Sequence, residues 1–127
     1  MTNVSVVDTE IAHEYGCYVD NYMVGHGKLL VCVEHHAKQE RFYVDFNHVY
    51  CFSGILRWNG AGLRLGSDEE YMQFMQLMMP TFDKPYEELQ DPNYYGKLYI
   101  FDSKTGPIKF IATNHRKVDH LLQEITS

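Results

Sequence analysis

The chain has 127 residues, of which 45% are hydrophobic and 22% are charged, so we expect one folded domain spanning residues 1–127 without extended disorder. Its net charge of −6 disfavours nucleic-acid binding, because phosphates repel an acidic surface. The N-terminus has no signal-peptide pattern, and no stretch approaches the ~20 apolar residues that cross a bilayer. The three cysteines form no close pair, so we expect a cytoplasmic protein without a disulfide framework or membrane contact.

The first half of the chain is predicted to form β-strands. Residues 15–23 alternate in character and end at a glycine-containing break at 25–27. Residues 28–46 are predicted to form an antiparallel hairpin at the centre of a sheet, because alternation with a period of two marks half-buried strands. The alternation continues to Phe52, and a turn at 45–47 would make residues 48–52 a separate short strand.

The glycine-containing stretch 53–66 has two interpretations. Asn59-Gly60 is a strong turn signal, so residues 55–58 and 62–65 form either a second hairpin or an ordered loop. The glycines lack the spacing of a phosphate-binding loop, which favours turns and packing over a phosphate cradle.

Helices are predicted to follow. Ser67 and Glu70 form a capping box, in which each side chain satisfies a free backbone N–H, and the apolar stripe of this helix ends before Pro80. A short second helix is predicted from Asp83 and ends by residue 91.

The end of the chain is predicted to be a hairpin and a last helix. Residues 97–102 and 107–113 are the predicted strands. The last helix would begin at Thr113 or Asn114 and carry an apolar pattern through Ile125. The predicted fold class is therefore α+β, an antiparallel sheet built from hairpins with two or three helices packed on one face.

Histidine and cysteine lie near each other three times, as candidate ligands or catalytic groups. The pairs are His13 with Cys17, Cys32 with His35, and His48 with Cys51. Strand residues three apart point to opposite faces and zinc-finger spacing is absent, so we predict no metal site. A cysteine nucleophile needs a nearby base, and Cys51 has no basic sequence neighbour that would lower its pKa. We predict no catalytic residue and no cofactor; the alternative is a small enzyme, or a ligand- or metal-binding domain, that uses Cys51, His48 and His36.

The clearest functional pattern is a cluster of acidic and aromatic residues after the midpoint of the chain. Carboxylates can steer a basic protein partner onto a surface where tyrosines anchor it. Helix capping and a solvated face explain the same residues without any function. The predicted partner-binding residues are Asp68, Glu69, Asp83, Tyr86, Glu87, Glu88, Asp91, Tyr94 and Tyr95.

The chain as a whole resembles the small acidic immunity proteins with which bacteria neutralise delivered toxins, such as those of contact-dependent growth inhibition. The resemblance lies in one α+β domain without a catalytic signature, the acidic aromatic segment, and the closing hairpin and helix of residues 97–124. It implies a protein that binds a toxin domain, often a basic nuclease, and occludes its active site or substrate surface. We expect a monomer or weak homodimer; a subunit that joins a larger assembly through an edge strand is the remaining alternative.

Overall fold

The computed structural model describes Val4, residues 6–23, Gly25, residues 27–78 and residues 96–119. Within these residues the chain forms nine β-strands, one α-helix and a short 3₁₀ turn. The strands are β1 (Tyr15–Met23), β2 (Lys28–His35), β3 (Arg41–Asn47), β4 (Cys51–Ser53), β5 (Arg57–Asn59), β6 (Leu63–Leu65), β7 (Lys97–Phe101), β8 (Ile108–Ala112) and β9 (Asn114–Val118). The helix α1 spans Asp68–Met78, and the 3₁₀ turn Ala12–Glu14 precedes β1.

The strands form two antiparallel sheets that pack face to face. The larger sheet has the order β5-β1-β2-β3-β9, and the smaller has the order β4-β8-β7-β6. Aromatic rings cross the interface edge to face, with 4.6 Å between the ring centroids of Phe46 and Phe110. The buried core between the sheets consists of Tyr15, Cys17, Leu29, Val31, Val33, Phe42, Val44, Phe46, Trp58, Ala61, Leu63, Tyr99, Phe101, Ile108, Phe110 and Ala112.

The two sheets meet at a corner, where the chain passes from β3 to β4 and, beside it, from β8 to β9. β3 pairs with β9 in the larger sheet, and β4, which follows β3 in the chain, pairs with β8 in the smaller one. At the bend, Thr113 Oγ1 donates a hydrogen bond to the Asn47 carbonyl at 3.1 Å and therefore accepts one from His48 Nδ1 at 3.0 Å. Phe46 faces the core from the larger sheet and Phe52 from the smaller one. The apolar alternation in the sequence therefore continues through the bend to Phe52.

Helix α1 covers the outer face of the smaller sheet, where Phe74 and Met75 are buried. Its predicted capping box is confirmed. Ser67 Oγ accepts from the Glu70 N–H at 3.2 Å, and Glu70 Oε1 accepts from the Ser67 N–H at 2.9 Å.

The predicted α+β class is wrong. The described chain is mostly β, in two sheets with one short helix, rather than one sheet covered by two or three helices. The strand over residues 15–23 and the hairpins within 28–47 and 97–112 are confirmed. The helix predicted from Asp83 lies outside the described residues.

The predicted last helix is also wrong at its start. Asn114–Val118 is strand β9, which pairs with β3 along the edge of the larger sheet. The helical pattern depended on apolar residues beyond 119, which lie outside the described residues. Tertiary pairing decides the conformation here, because strand propensity is set largely by the neighbouring strand.

Residues 55–65 do not form a hairpin. Arg57–Asn59 pairs with β1 in the larger sheet, whereas Leu63–Leu65 pairs with β7 in the smaller one. At the predicted Asn59-Gly60 turn, Gly60 adopts a φ of 112, but the chain there passes from one sheet to the other and does not turn back as a hairpin.

Candidate functional site

An apolar cleft of about 340 Å³ opens where β1 and β2 of the larger sheet face β4 of the smaller sheet. None of its lining side chains is charged, and the inner part of the cleft continues into the core between the sheets. The lining residues are Val19, Tyr22, Leu29, Val49, Tyr50, Cys51, Phe52 and Leu56.

The rim of the cleft consists of large side chains that remain open to solvent. Tyr22, Tyr50 and Leu56 are 44%, 53% and 65% exposed, and the adjacent Ile55 is 53% exposed. Single exposed apolar residues are ordinary, whereas several around one concavity mark a binding surface. We call the cleft and its rim of Tyr22, Tyr50 and Leu56 the apolar cleft.

A β-bulge brings Tyr22 to the cleft. Residues three apart on a regular strand point to opposite faces, so Tyr22 would face away from Val19. The pairing of β1 with β2 slips between Val19 and Asn21, and Tyr22 then lies opposite the inward-facing Leu29. The extra residue therefore places Tyr22 on the same face as Val19.

Backbone hydrogen bonds hold the remaining wall of the cleft. The Val49 N–H donates to the Gly27 carbonyl at 2.7 Å, and the Tyr50 N–H donates to the Ile111 carbonyl at 2.8 Å. The Leu56 carbonyl accepts from the Val19 N–H at 2.9 Å. The cleft is therefore built into the corner of the fold.

The cysteine and histidine residues of the alternative enzyme site are not brought together. Burial raises the pKa of the Cys51 thiol to about 11, which opposes formation of the reactive thiolate. Cys51 lines the apolar cleft, His48 is bound to Thr113 at the corner, and His36 lines a different pocket. Within the described residues, neither histidine is hydrogen-bonded to the Cys51 thiol as a base for a nucleophile would be.

The other cysteines and His35 have structural surroundings. Burial raises the pKa of both Cys17 and Cys32. His35 Nδ1 accepts from the Ala37 and Lys38 N–H groups at 3.0 Å, so Nε2 carries the proton and donates to Glu14 at 2.8 Å. Both ring nitrogens of His35 are thus occupied: Nδ1 holds the β2–β3 turn, and Nε2 joins β2 to the 3₁₀ turn before β1. Among the described residues, no group of three or more His, Cys, Asp or Glu side chains is placed to hold a metal ion.

The acidic aromatic surface predicted from the sequence is described only at its beginning. Asp68 and Glu69 lie exposed in the first turn of α1, where negative charge stabilises the helix dipole. Glu70 in the same turn is bound to Arg64 through two bonds of 3.0 and 3.1 Å. The predicted residues Asp83, Tyr86, Glu87, Glu88, Asp91, Tyr94 and Tyr95 lie outside the described residues.

Sequence reasoning missed the apolar cleft. The sequence predicts strand and turn for its rim residues at 50–56, and the bulge that turns Tyr22 inward leaves no pattern in a single sequence. The run Ile55-Leu56 next to Gly54 was the available signal, because adjacent apolar residues cannot both be buried on one face of a strand.

No known protein family matches the chain, and neither a curated protein nor a solved structure is significantly similar to it. In the part of the chain that the structure describes, no helix has the length and apolar character needed to cross a membrane.

Proposed function

We propose that this chain is a small binding protein that docks a protein partner by accepting an apolar side chain of that partner into the apolar cleft. The observation that carries the proposal is the set of exposed large side chains around one uncharged concavity. Buried aromatic and apolar anchors supply most of the free energy of protein association.

The exposed rim favours a protein over a free small molecule. About 340 Å³ is enough for one large side chain, and is near the lower end of small-molecule pockets. A ligand inside the cleft would leave Tyr50 and Leu56 in water, whereas a partner surface would cover them and remove that apolar area from solvent.

A narrower proposal is that the partner is a basic toxin domain, inhibited in the cytoplasm as by the immunity proteins that the chain resembles. The net charge of −6 and the exposed carboxylates of Asp68 and Glu69 support it. In this proposal the acidic residues through Asp91 guide the encounter, and the apolar cleft provides the anchor.

Photo-crosslinking tests the docking surface. A photoreactive amino acid replaces Tyr50 in living cells, and a second variant carries it at Leu77, which is 72% exposed on α1. We expect a specific protein adduct at position 50 and none at position 77, and the same protein must bind the purified chain. Adducts of equal yield at both positions, or none at 50, would show that the apolar cleft is not the docking surface.

Salt dependence tests the narrower proposal. With the captured partner purified, the association rate should fall steeply with added salt and fall again in the Glu87→Lys/Glu88→Lys double variant. An association rate that changes neither with salt nor with charge reversal would contradict the proposal of a basic partner. It would not contradict docking at the apolar cleft.

A further inference from the structure

A second concavity of about 460 Å³ lies where the 3₁₀ turn, the loop between β5 and β6, and the turn after β7 meet. It shares no lining residue with the apolar cleft, and most of its lining residues carry a polar side chain. We call it the His–Lys pocket, after His13, His36 and Lys104. Its other lining residues are Thr9, Ala12, Asn59, Gly60, Gly62 and Asp102.

The acidic groups around the His–Lys pocket are bound to groups other than its donors. Asp102 accepts a bond from Arg64 at 2.9 Å, although Arg64 also binds Glu70, and the neighbouring Glu14 is bound to His35 at 2.8 Å. Among the described residues, neither Lys104 nor the imidazole of His13 or His36 has an acidic partner within salt-bridge distance. In an acidic protein this leaves a concavity lined by free N–H donors.

Two backbone features bring these donors together. Gly16 allows the His36 and Asn59 side chains to meet over it: a Cβ there would lie 3.1 Å from His36 Cε1 and 3.6 Å from Asn59 Oδ1. The His36 N–H donates to the Glu14 carbonyl at 2.9 Å, and the Ala61 N–H donates to the Ala12 carbonyl at 3.0 Å. These bonds fix the walls of the pocket to each other.

We propose that the His–Lys pocket binds the phosphate group of a small molecule. A phosphate dianion offers several acceptor oxygens in a tetrahedral arrangement, which suits donors placed on separate walls. A planar carboxylate would reach fewer of these donors. The pocket volume of about 460 Å³ leaves room for the rest of the small molecule. The site goes beyond the proposed docking function and does not depend on it.

Recognition in this pocket depends on side chains. The N–H groups of Gly60 and Ala61 are bound to the Tyr15 and Ala12 carbonyls, so they are unavailable as a backbone cradle. The missing phosphate-loop spacing in the sequence is consistent with this, because side-chain donors need no such spacing.

Amide NMR with inorganic phosphate tests the proposal at constant ionic strength. We expect saturable shifts at residues 9–14, 36, 59–62 and 102–104, and weaker binding of acetate. Lys104→Gln should weaken phosphate binding about tenfold through loss of a charged donor. Lys109→Gln removes the same charge from β8, outside the pocket, and should leave binding within twofold.

A further variant separates the pocket from general electrostatic attraction. Gly16→Ala keeps every charge but places a methyl group 3.1 Å from His36 Cε1, which displaces the imidazole slightly, so phosphate binding should weaken while the fold is retained. Linear, unsaturated shifts, equal effects of Lys104→Gln and Lys109→Gln, or acetate binding as tightly as phosphate would overturn the proposal.

Discussion

His48 adopts a backbone conformation that most side chains avoid. Its φ is 53°, in the left-handed region, at the bend between β3 and β4. Alanine and glycine at this position both lose the hydrogen bond to Thr113. The difference in stability between these two variants therefore reports the cost of the left-handed backbone conformation. We expect His48→Ala to be less stable than His48→Gly by about 1 kcal/mol, measured by denaturant unfolding. Equal stabilities would show that the corner does not require the left-handed conformation.

Arg64 joins three elements through its guanidinium group. It binds both carboxylate oxygens of Glu70 on α1 and also Asp102 after β7. The hydrogen bonds that Glu70 accepts from the Arg64 guanidinium and from the Ser67 N–H lower the pKa of Glu70 from 4.5 to about 2. The ionised carboxylate therefore stabilises the fold above pH 4.5, and this contribution is lost as the pH falls from 4.5 towards 2.

At the scale of elements, the pH dependence of the α1 attachment can be measured. Glu70→Gln should lower the free energy of unfolding at pH 7 by about 1–2 kcal/mol, a value reduced for solvent screening because the side chain is partly exposed. The deficit relative to wild type should shrink as the pH falls to 2. Glu69→Gln is the matched control in the same turn, since Glu69 accepts only a 3.4 Å bond from Gln73. A deficit that persists unchanged at pH 2 would contradict the role assigned to the ionised carboxylate.

The elements that could be predicted from the sequence are those fixed by near neighbours. The β2–β3 and β7–β8 hairpins pair strands that follow each other in the chain, and the capping box at Ser67 is local in sequence. For the two hairpins, the alternation of apolar residues and the turn residues are sufficient to predict the strands.

The elements that could not be predicted depend on distant partners. Strand β9 exists because it pairs with β3, about 70 residues earlier, and residues 57–59 and 63–65 belong to different sheets. A single sequence shows propensity but not which strand will be adjacent. The candidate site was missed for the same reason, since the bulge and the corner that create the apolar cleft are features of strand register.

At the scale of the whole molecule, the corner leaves the sandwich open on one side. The β3–β9 and β4–β8 pairs close one junction between the sheets, while the apolar cleft opens between β1 and β4. The His–Lys pocket is built separately, from the turns and loops near Gly16. The fold therefore offers two surfaces of opposite character, one apolar and one rich in N–H donors.

The most direct test of the docking account is the affinity of the crosslinked partner, measured by calorimetry, for two matched variants. Leu56→Ser removes an apolar side chain from the rim of the cleft, and Leu77→Ser removes a similarly exposed one from α1. The account predicts that Leu56→Ser weakens binding about tenfold or more, whereas Leu77→Ser changes it less than twofold. Unchanged affinity in Leu56→Ser, or an equal loss in both variants, would contradict it.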